Sequence, residues 1–541
     1  MTAALRDWWL HLAAAPAKQA ALWSSAATQV LPGTLAALAG GDAIDAPPQD
    51  RRFADPAWQA QPWHALSQLF LLQQRWWQQA TSGVPGVTRH HEQMVAFAAR
   101  QWLDMLAPSN FVAGNPVVQQ RTLREGGANL LRGLAHVAED IRREWLDEPP
   151  VGAEAFEPGR TVAVTPGRVV LRNRLMELIQ YAPSTPRVHA EPVLLVPAWI
   201  MKYYVLDLSP SNSLVKYLVD QGFTVFAISW KNPGAEDHDL GMDDYARLGV
   251  LDALQAVRTI TAGRRVHACG YCLGGTLLAS VAALLGAQRD DSLASLTLLA
   301  AQTDFTEPGE LALFIDEEQV EALEQRMQWQ GYLDKAQMKR TFQMLRSNDL
   351  VWSYRVHALL LGERAPMTDL MAWNADGTRL PARMHAEYLR GLYLHNALAH
   401  GEWRVEGRAV RLMDIRVPVF SVATLQDHVA PWRSVFALQS LCDAEQTFVL
   451  TSGGHNVGIV NPPGNARASC RVRTLAAGAP RVDADAWLAD TPETEGSWWP
   501  AWRDWLHRHG TARPVAPPPL GAPQAGLAAG EAAPGRYVHQ R

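Results

Sequence analysis

Arg265-Val266-His267-Ala268-Cys269-Gly270-Tyr271-Cys272-Leu273-Gly274-Gly275 is the stretch on which the fold turns. Its first six residues read as a strand, and residues 276–286 read as an apolar helix. Between them, Gly270-Tyr271-Cys272-Leu273-Gly274 has the G-x-S-x-G spacing of a nucleophile elbow, with Cys in place of Ser. So sharp a turn demands small residues at 270 and 274, because side chains there would strike neighbouring backbone. The turn also sets Cys272 near a helix N-terminus, whose exposed N–H groups favour a thiolate. The backbone N–H of Leu273 then faces the place where an acyl oxyanion would develop.

Upstream of the elbow, Val193-Leu194-Leu195-Val196-Pro197 and residues 222–229 read as short apolar strands. Residues 213–220 and 245–261 read as helices, the second ending at Gly263. Downstream, residues 296–300, 417–423 and 447–450 read as further strands. Apolar strands alternating with helices imply an α/β class with a mostly parallel sheet covered on both faces. About 110 residues of helical pattern, from roughly 306 to 415, interrupt the late strands and suit a cap over an active site. The expected organisation is a weakly structured segment over 1–50, which includes Gly40-Gly41-Asp42 and Ala46-Pro47-Pro48. A helical N-terminal domain over 51–160 and a catalytic domain over 161–513 follow, and a Pro/Gly/Ala-rich extended tail runs over 514–541.

An elbow of this kind places the chain in the α/β-hydrolase fold, where nucleophile, acid and base follow in that order. Asp427, just beyond the 417–423 strand, is the expected acid, and His455, in Ser452-Gly453-Gly454-His455, is the expected base. His455 would take the thiol proton and later activate an attacking hydroxyl, while Asp427 would fix its tautomer. Asp304, which ends the preceding strand, is the rival acid, and His428 adjoins Asp427 as a candidate to line the pocket. Cys269-x-x-Cys272 also has the spacing of a redox or zinc pair. However, Cys269 falls within the strand, and no second Cys pair follows at zinc spacing, so no metal site is expected.

The composition excludes other classes. The 541 residues carry 49 Lys and Arg against 54 Asp and Glu, a net charge of −5 without a basic block, which speaks against nucleic-acid binding. Four irregularly spaced cysteines imply a reducing compartment. Arg6 and Asp7 interrupt the apolar start, arguing against a secretory signal, and no apolar run is long enough to span a membrane. A cytoplasmic location is the expectation. The 21 tryptophans are unusual; they show no period, and either core packing or exposure at an apolar surface would account for them.

The chain resembles the polyhydroxyalkanoate synthase family of single-chain type over about residues 50–541. The likeness rests on Arg52-Phe53-Ala54-Asp55-Pro56-Ala57-Trp58, Pro108-Ser109-Asn110-Phe111, Asp207-Leu208, Ser229-Trp230-Lys231-Asn232-Pro233 and the Cys272 elbow. It extends through Asn348-Asp349-Leu350, Trp373-Asn374-x-Asp376-x-Thr378-x-Leu380-Pro381, Asp427-His428-x-x-Pro431-Trp432, Asn461-Pro462-Pro463, Ser497-Trp498-Trp499-Pro500 and Gly535-Arg536-Tyr537-Val538. The resemblance implies transfer of 3-hydroxyacyl groups from CoA thioesters to a growing polyester through a thioester on Cys272, with Asp427 and His455 completing the triad. It implies no cofactor beyond the CoA leaving group, a homodimer formed through the cap, and attachment to polyester granules. It puts the second oxyanion donor, beside Leu273, at the N–H of Ile200 or near Trp199, and makes Trp199, Trp373 and His428 candidates for the acyl pocket. Ala198, Met201 and Leu273 depart from the commoner family residues.

The elbow is also similar to that of dienelactone hydrolase, a shorter family lacking the Trp373–Pro381 signature, which would release free hydroxy acid. A non-catalytic granule-associated paralogue is the third reading; the intact Cys272, Asp427 and His455 weigh against it.

Overall fold

The computed structural model describes residues 1–47, 50–345 and 347–541, so Pro48 of the expected weak segment lies outside the described residues. The chain forms two compact units: residues 1–150 with 340–366, and residues 151–339 with 367–541.

The first unit is helical. Its helices include Trp63–Thr81, Arg89–Leu106, Pro116–Arg124 and Ala128–Trp145. Contrary to the expectation of weak structure over 1–50, Thr2–Ala13, Pro16–Ser25 and Leu31–Leu38 are also helices. Alanine and leucine are the strongest helix formers, and their summed propensity outweighs the missing side-chain caps. The expected cap over 306–415 is divided, because 340–366 belongs with the N-terminal helices. Gly133 permits this approach: a Cβ there would lie 1.8 Å from the Leu359 carbonyl oxygen. Asn129 donates to the Leu360 carbonyl at 2.7 Å, and Arg364 pairs with Glu139 and Asp140 at 2.8 and 2.6 Å. The Arg52-Phe53 motif is structural here. The Arg52 guanidinium bridges Asp50 and Asp104 at 2.6 and 3.1 Å and lies over the Phe70 ring.

The second unit is built on a sheet whose strands, in chain order, are β1 (Gly167–Arg172), β2 (Met176–Tyr181), β3 (Val193–Val196), β4 (Val225–Trp230) and β5 (Val266–Tyr271). They continue as β6 (Leu293–Leu299), β7 (Val419–Thr424), β8 (Gln446–Thr451), β9 (Ser469–Leu475) and β10 (Glu493–Glu495). Across the sheet the order is β1-β2-β4-β3-β5-β6-β7-β8-β9-β10. Strands β3 to β8 run parallel, with antiparallel pairs at both edges. Every residue of β3 to β8 is buried, so these strands read as mostly apolar runs without alternation. The chain leaves β3 for β4 on one side and returns to β5 on the other. This reversal makes the carboxyl end of β3 and β5 the crevice where open α/β sheets bind ligands.

The 514–541 stretch is not a loose tail. Val188 and Val515 exchange both backbone hydrogen bonds, and Val169 does so with Glu531 and Gly530. The buried carboxylate of Glu177 accepts from the amides of Arg536 and Tyr537 at 2.9 and 3.0 Å. Pro and Gly confine helix there to short 3-10 turns at Pro523–Ala525 and Tyr537–His539, but an extended strap satisfies the otherwise open edge of β1. Among the described residues no helix is long and apolar enough to cross a membrane.

Candidate active site

Strand β5 ends at Tyr271, and the helix Leu273–Gln288 begins two residues later. Cys272 at the bend has φ 52° and ψ −122°, a strained backbone held by the donation of its own N–H to the Leu299 carbonyl at 2.8 Å. The glycines make the bend possible. A Cβ on Gly270 would lie 2.4 Å from Gly275 Cα, and one on Gly274 would lie 2.2 Å from the Val196 carbonyl oxygen. Gly275, outside the G-x-S-x-G spacing, is constrained as well: a Cβ there would meet Ala301 Cβ at 2.5 Å. Leu273 is the first residue of the helix, so its N–H has no acceptor within it.

His455 follows β8, and its Nδ1 donates to Asp427 Oδ2 at 2.7 Å. Thr424 Oγ1 donates to the same oxygen at 3.1 Å, while the amides of Val429 and Ala430 each donate to Oδ1 at 2.8 Å. Burial alone would raise the Asp427 pKa, but the His455 charge and these donors hold it below the usual carboxylate range. Burial likewise opposes a charged His455. The charges of Asp427 and Cys272, and the hydrogen bond with Asp427, overcome that and raise its pKa well above the ordinary value. The structure thus brings together the three residues expected from the sequence. Asp304 is occupied elsewhere, accepting from the Thr306 amide at 2.8 Å and from Asn396 at 2.8 Å.

Cys269 and Cys272 are not bonded to each other, and burial within β5 pushes the Cys269 thiol pKa up. The expected pocket residues lie differently from one another. Trp199 is buried against Trp230 and Tyr245, with ring centroids 5.9 and 4.8 Å away. Trp373 is buried with its indole committed to the Lys202 carbonyl at 2.7 Å, and His428 is exposed. Tyr388 and Tyr393 lie near enough to Cys272 for its charge to act on them. Their phenol pKa values are raised first by burial and also by the charge of Cys272. Their ring centroids are 5.6 Å apart, and Phe305 lies 4.9 Å from Tyr393. No motif pointed to them, because helical spacing in 382–394 looks the same for packing and for lining a site.

Indole N–H groups tie down the loops around this site. Trp230 donates to the Pro197 carbonyl at 2.8 Å. Trp498 and Trp499 donate to the carbonyls of Gly458 and Ile459, just past His455, each at 3.0 Å. The tryptophans therefore divide: these are buried, whereas Trp9, Trp23, Trp102, Trp145 and Trp329 are exposed.

Residues 49–218 match the family model described as poly-beta-hydroxybutyrate polymerase (PhaC) N-terminus, and residues 191–462 match that of the alpha/beta hydrolase fold. The poly(3-hydroxyalkanoate) polymerase of Methylorubrum extorquens is 41% identical over 96% of this chain and 85% of its own length. The chain belongs to the poly(3-hydroxyalkanoate) polymerase family. Polymerase PhaC subunits from Rhizobium etli and Cupriavidus necator are 40% and 38% identical, over 91% of this chain in each case and 77% and 83% of their own lengths. As a member of the poly(3-hydroxyalkanoate) polymerase family, the chain carries Cys272, Asp427 and His455 on an α/β-hydrolase sheet.

Proposed function

We propose that this protein polymerises 3-hydroxyacyl groups, taking them from CoA thioesters onto Cys272 and passing them to the hydroxyl end of a growing polyester. The observation that carries the reading is a Cys272 thiol at a strained elbow, close enough to act electrostatically on an imidazole that Asp427 holds at 2.7 Å. The names of the relatives at about 40% identity agree with it.

In the first half-reaction His455 takes the thiol proton and the sulfur adds to the thioester carbonyl. The oxyanion is held by the N–H groups of Leu273 and Ile200. As it collapses, the C–S bond to CoA breaks and His455 gives its proton to the departing thiolate. One thioester has replaced another, so little free energy is lost. In the second, His455 takes the proton of a chain-end hydroxyl, whose oxygen adds to the enzyme thioester. Collapse frees the Cys272 sulfur, which recovers the proton, and leaves an oxygen ester. No cofactor is assigned beyond the CoA leaving group. In the same reading the protein acts in the cytoplasm, at the surface of polyester granules and as a homodimer formed through the cap. Family membership supports these points, and sedimentation and granule co-purification test them.

The test is CoA release and product analysis from 3-hydroxybutyryl-CoA with wild type and Cys272→Ala. Wild type should yield polymer and CoA, and the variant neither. Polymer formed by the Ala variant would refute the covalent route, and free hydroxy acid as the sole wild-type product would make the enzyme a hydrolase.

A further inference from the structure

Residues 197–202 follow β3 and lie beside the elbow, since a Cβ on Gly274 would approach the carbonyl oxygens of both Val196 and Pro197. The carbonyls of this loop are held one after another. Pro197 accepts from the Trp230 indole at 2.8 Å. Trp199 accepts from Thr378 Oγ1 at 2.5 Å, Ile200 from the Thr378 backbone N–H at 3.2 Å, and Lys202 from the Trp373 indole at 2.7 Å. The backbone amide of Arg379 donates to Asn232 Oδ1 at 2.9 Å, joining the two sequence motifs that do this work.

The Trp199 carbonyl and the Ile200 N–H belong to one peptide unit. In a planar trans peptide they point in opposite directions, so fixing one fixes the other. Thr378 is buried, and its hydroxyl grips that carbonyl from the side away from the N–H. We propose that Thr378 is a positioning residue, which through the Trp199 carbonyl aims the Ile200 N–H at the forming oxyanion. The inference rests on the reading of Ile200 as an oxyanion donor. It gives part of the Trp373–Pro381 motif a task other than lining a pocket: Thr378 orients one peptide, and Trp373 anchors the far end of the loop.

The test uses the full chain with Thr378→Ser, Thr378→Cys and Thr378→Val, in which the donor is kept, weakened and removed at similar volume. Three quantities are read: kcat and KM for CoA release from 3-hydroxybutyryl-CoA, and the rate of Cys272 alkylation by iodoacetamide, which builds no oxyanion. Thr378→Val should lose about 10- to 100-fold in kcat, as expected for a misaimed oxyanion donor. Its KM should stay within about twofold, because the lost contact acts in the transition state. Alkylation should match wild type, Thr378→Ser should recover nearly all of kcat, and Thr378→Cys should fall between. Any two folded variants suffice to rank kcat against donor strength. A kcat that follows side-chain volume instead, or that falls together with alkylation, would overturn the proposal. Turnover surviving Cys272→Ala would sink the underlying covalent reading, whereas an inactive Cys272→Ala beside a fully active Thr378→Val sinks this inference alone.

Discussion

Replacing Asp427 by Asn alters one atom and isolates what the carboxylate does. Of the four donors to Asp427, the amides of Val429 and Ala430 can keep their bonds to a side-chain carbonyl, and Thr424 Oγ1 can turn to accept from the new NH2. Only the 2.7 Å bond from His455 must invert. An NH2 facing Nδ1 leaves that nitrogen unprotonated, so the imidazole proton moves to the nitrogen on the thiol side, where it blocks uptake of the thiol proton. The same exchange in a serine-protease triad costs about 10⁴ in kcat. A thiol is the more acidic nucleophile, so a loss of about 10²–10³ is expected, or roughly 3–4 kcal/mol of barrier. The stability cost should be smaller, about 1–3 kcal/mol for one charge-assisted hydrogen bond. The pH dependence follows from the directions of the shifts. His455 has a raised pKa, so its stabilisation is present below the ordinary value of 6.5 and is lost as pH rises through the raised one. Asp427 has a lowered pKa, and its stabilisation is lost only on acidification below the ordinary carboxylate value. Without the carboxylate, burial dominates at His455, and the limb of the kcat–pH profile that it governs should move to lower pH. Single-turnover CoA release across pH, with denaturant unfolding alongside, measures both effects. Asp427→Asn within tenfold of wild type, or a larger loss in Asp304→Asn, would refute the assignment of the acid.

Gly274→Ala should fail to fold or lose more than about 3 kcal/mol, because its Cβ would meet two backbone oxygens that cannot move aside, at 2.2 and 2.5 Å; soluble yield and urea unfolding report it. Asp207 is buried, and burial raises its pKa to about 6 despite hydroxyl donors from Ser213 and Thr165. A raised carboxyl pKa destabilises the fold as pH climbs from about 4 to 6, by up to about 3 kcal/mol here, so Asp207→Asn should flatten that part of a stability–pH curve. Equal slopes in wild type and variant would refute this.

The parallel strands were legible because each is buried on both faces and so reads as a mostly apolar run, unbroken in Val193–Val196. Strand β9, Ser469–Leu475, escaped notice because arginines alternate along it at 471 and 473. Edge strand β10, Glu493–Glu495, is three exposed residues. The site was legible where backbone chemistry constrains residue type, as at Gly270 and Gly274, and where chain order constrains the triad. It was not legible where the contact is between an indole and a carbonyl far away in sequence. Trp373 and Lys202 are an example: tryptophan reads as apolar filling until its one polar atom is seen to have a destination. The 340–366 helices read as cap in the sequence because helical periodicity names a buried face and not its partner.

The hydrogen bonds from Trp230, Thr378 and Trp373 to residues 197–202 all fall on main-chain oxygens. What the side chains at 198 and 201 are is therefore a separate question from where the backbone goes. The side chains of Ala198 and Met201 are partners in none of these bonds, so exchanging either leaves the frame's hydrogen bonds in place. A conservative change at either position should therefore affect kcat far less than Thr378→Val, with the reacting atoms left in register.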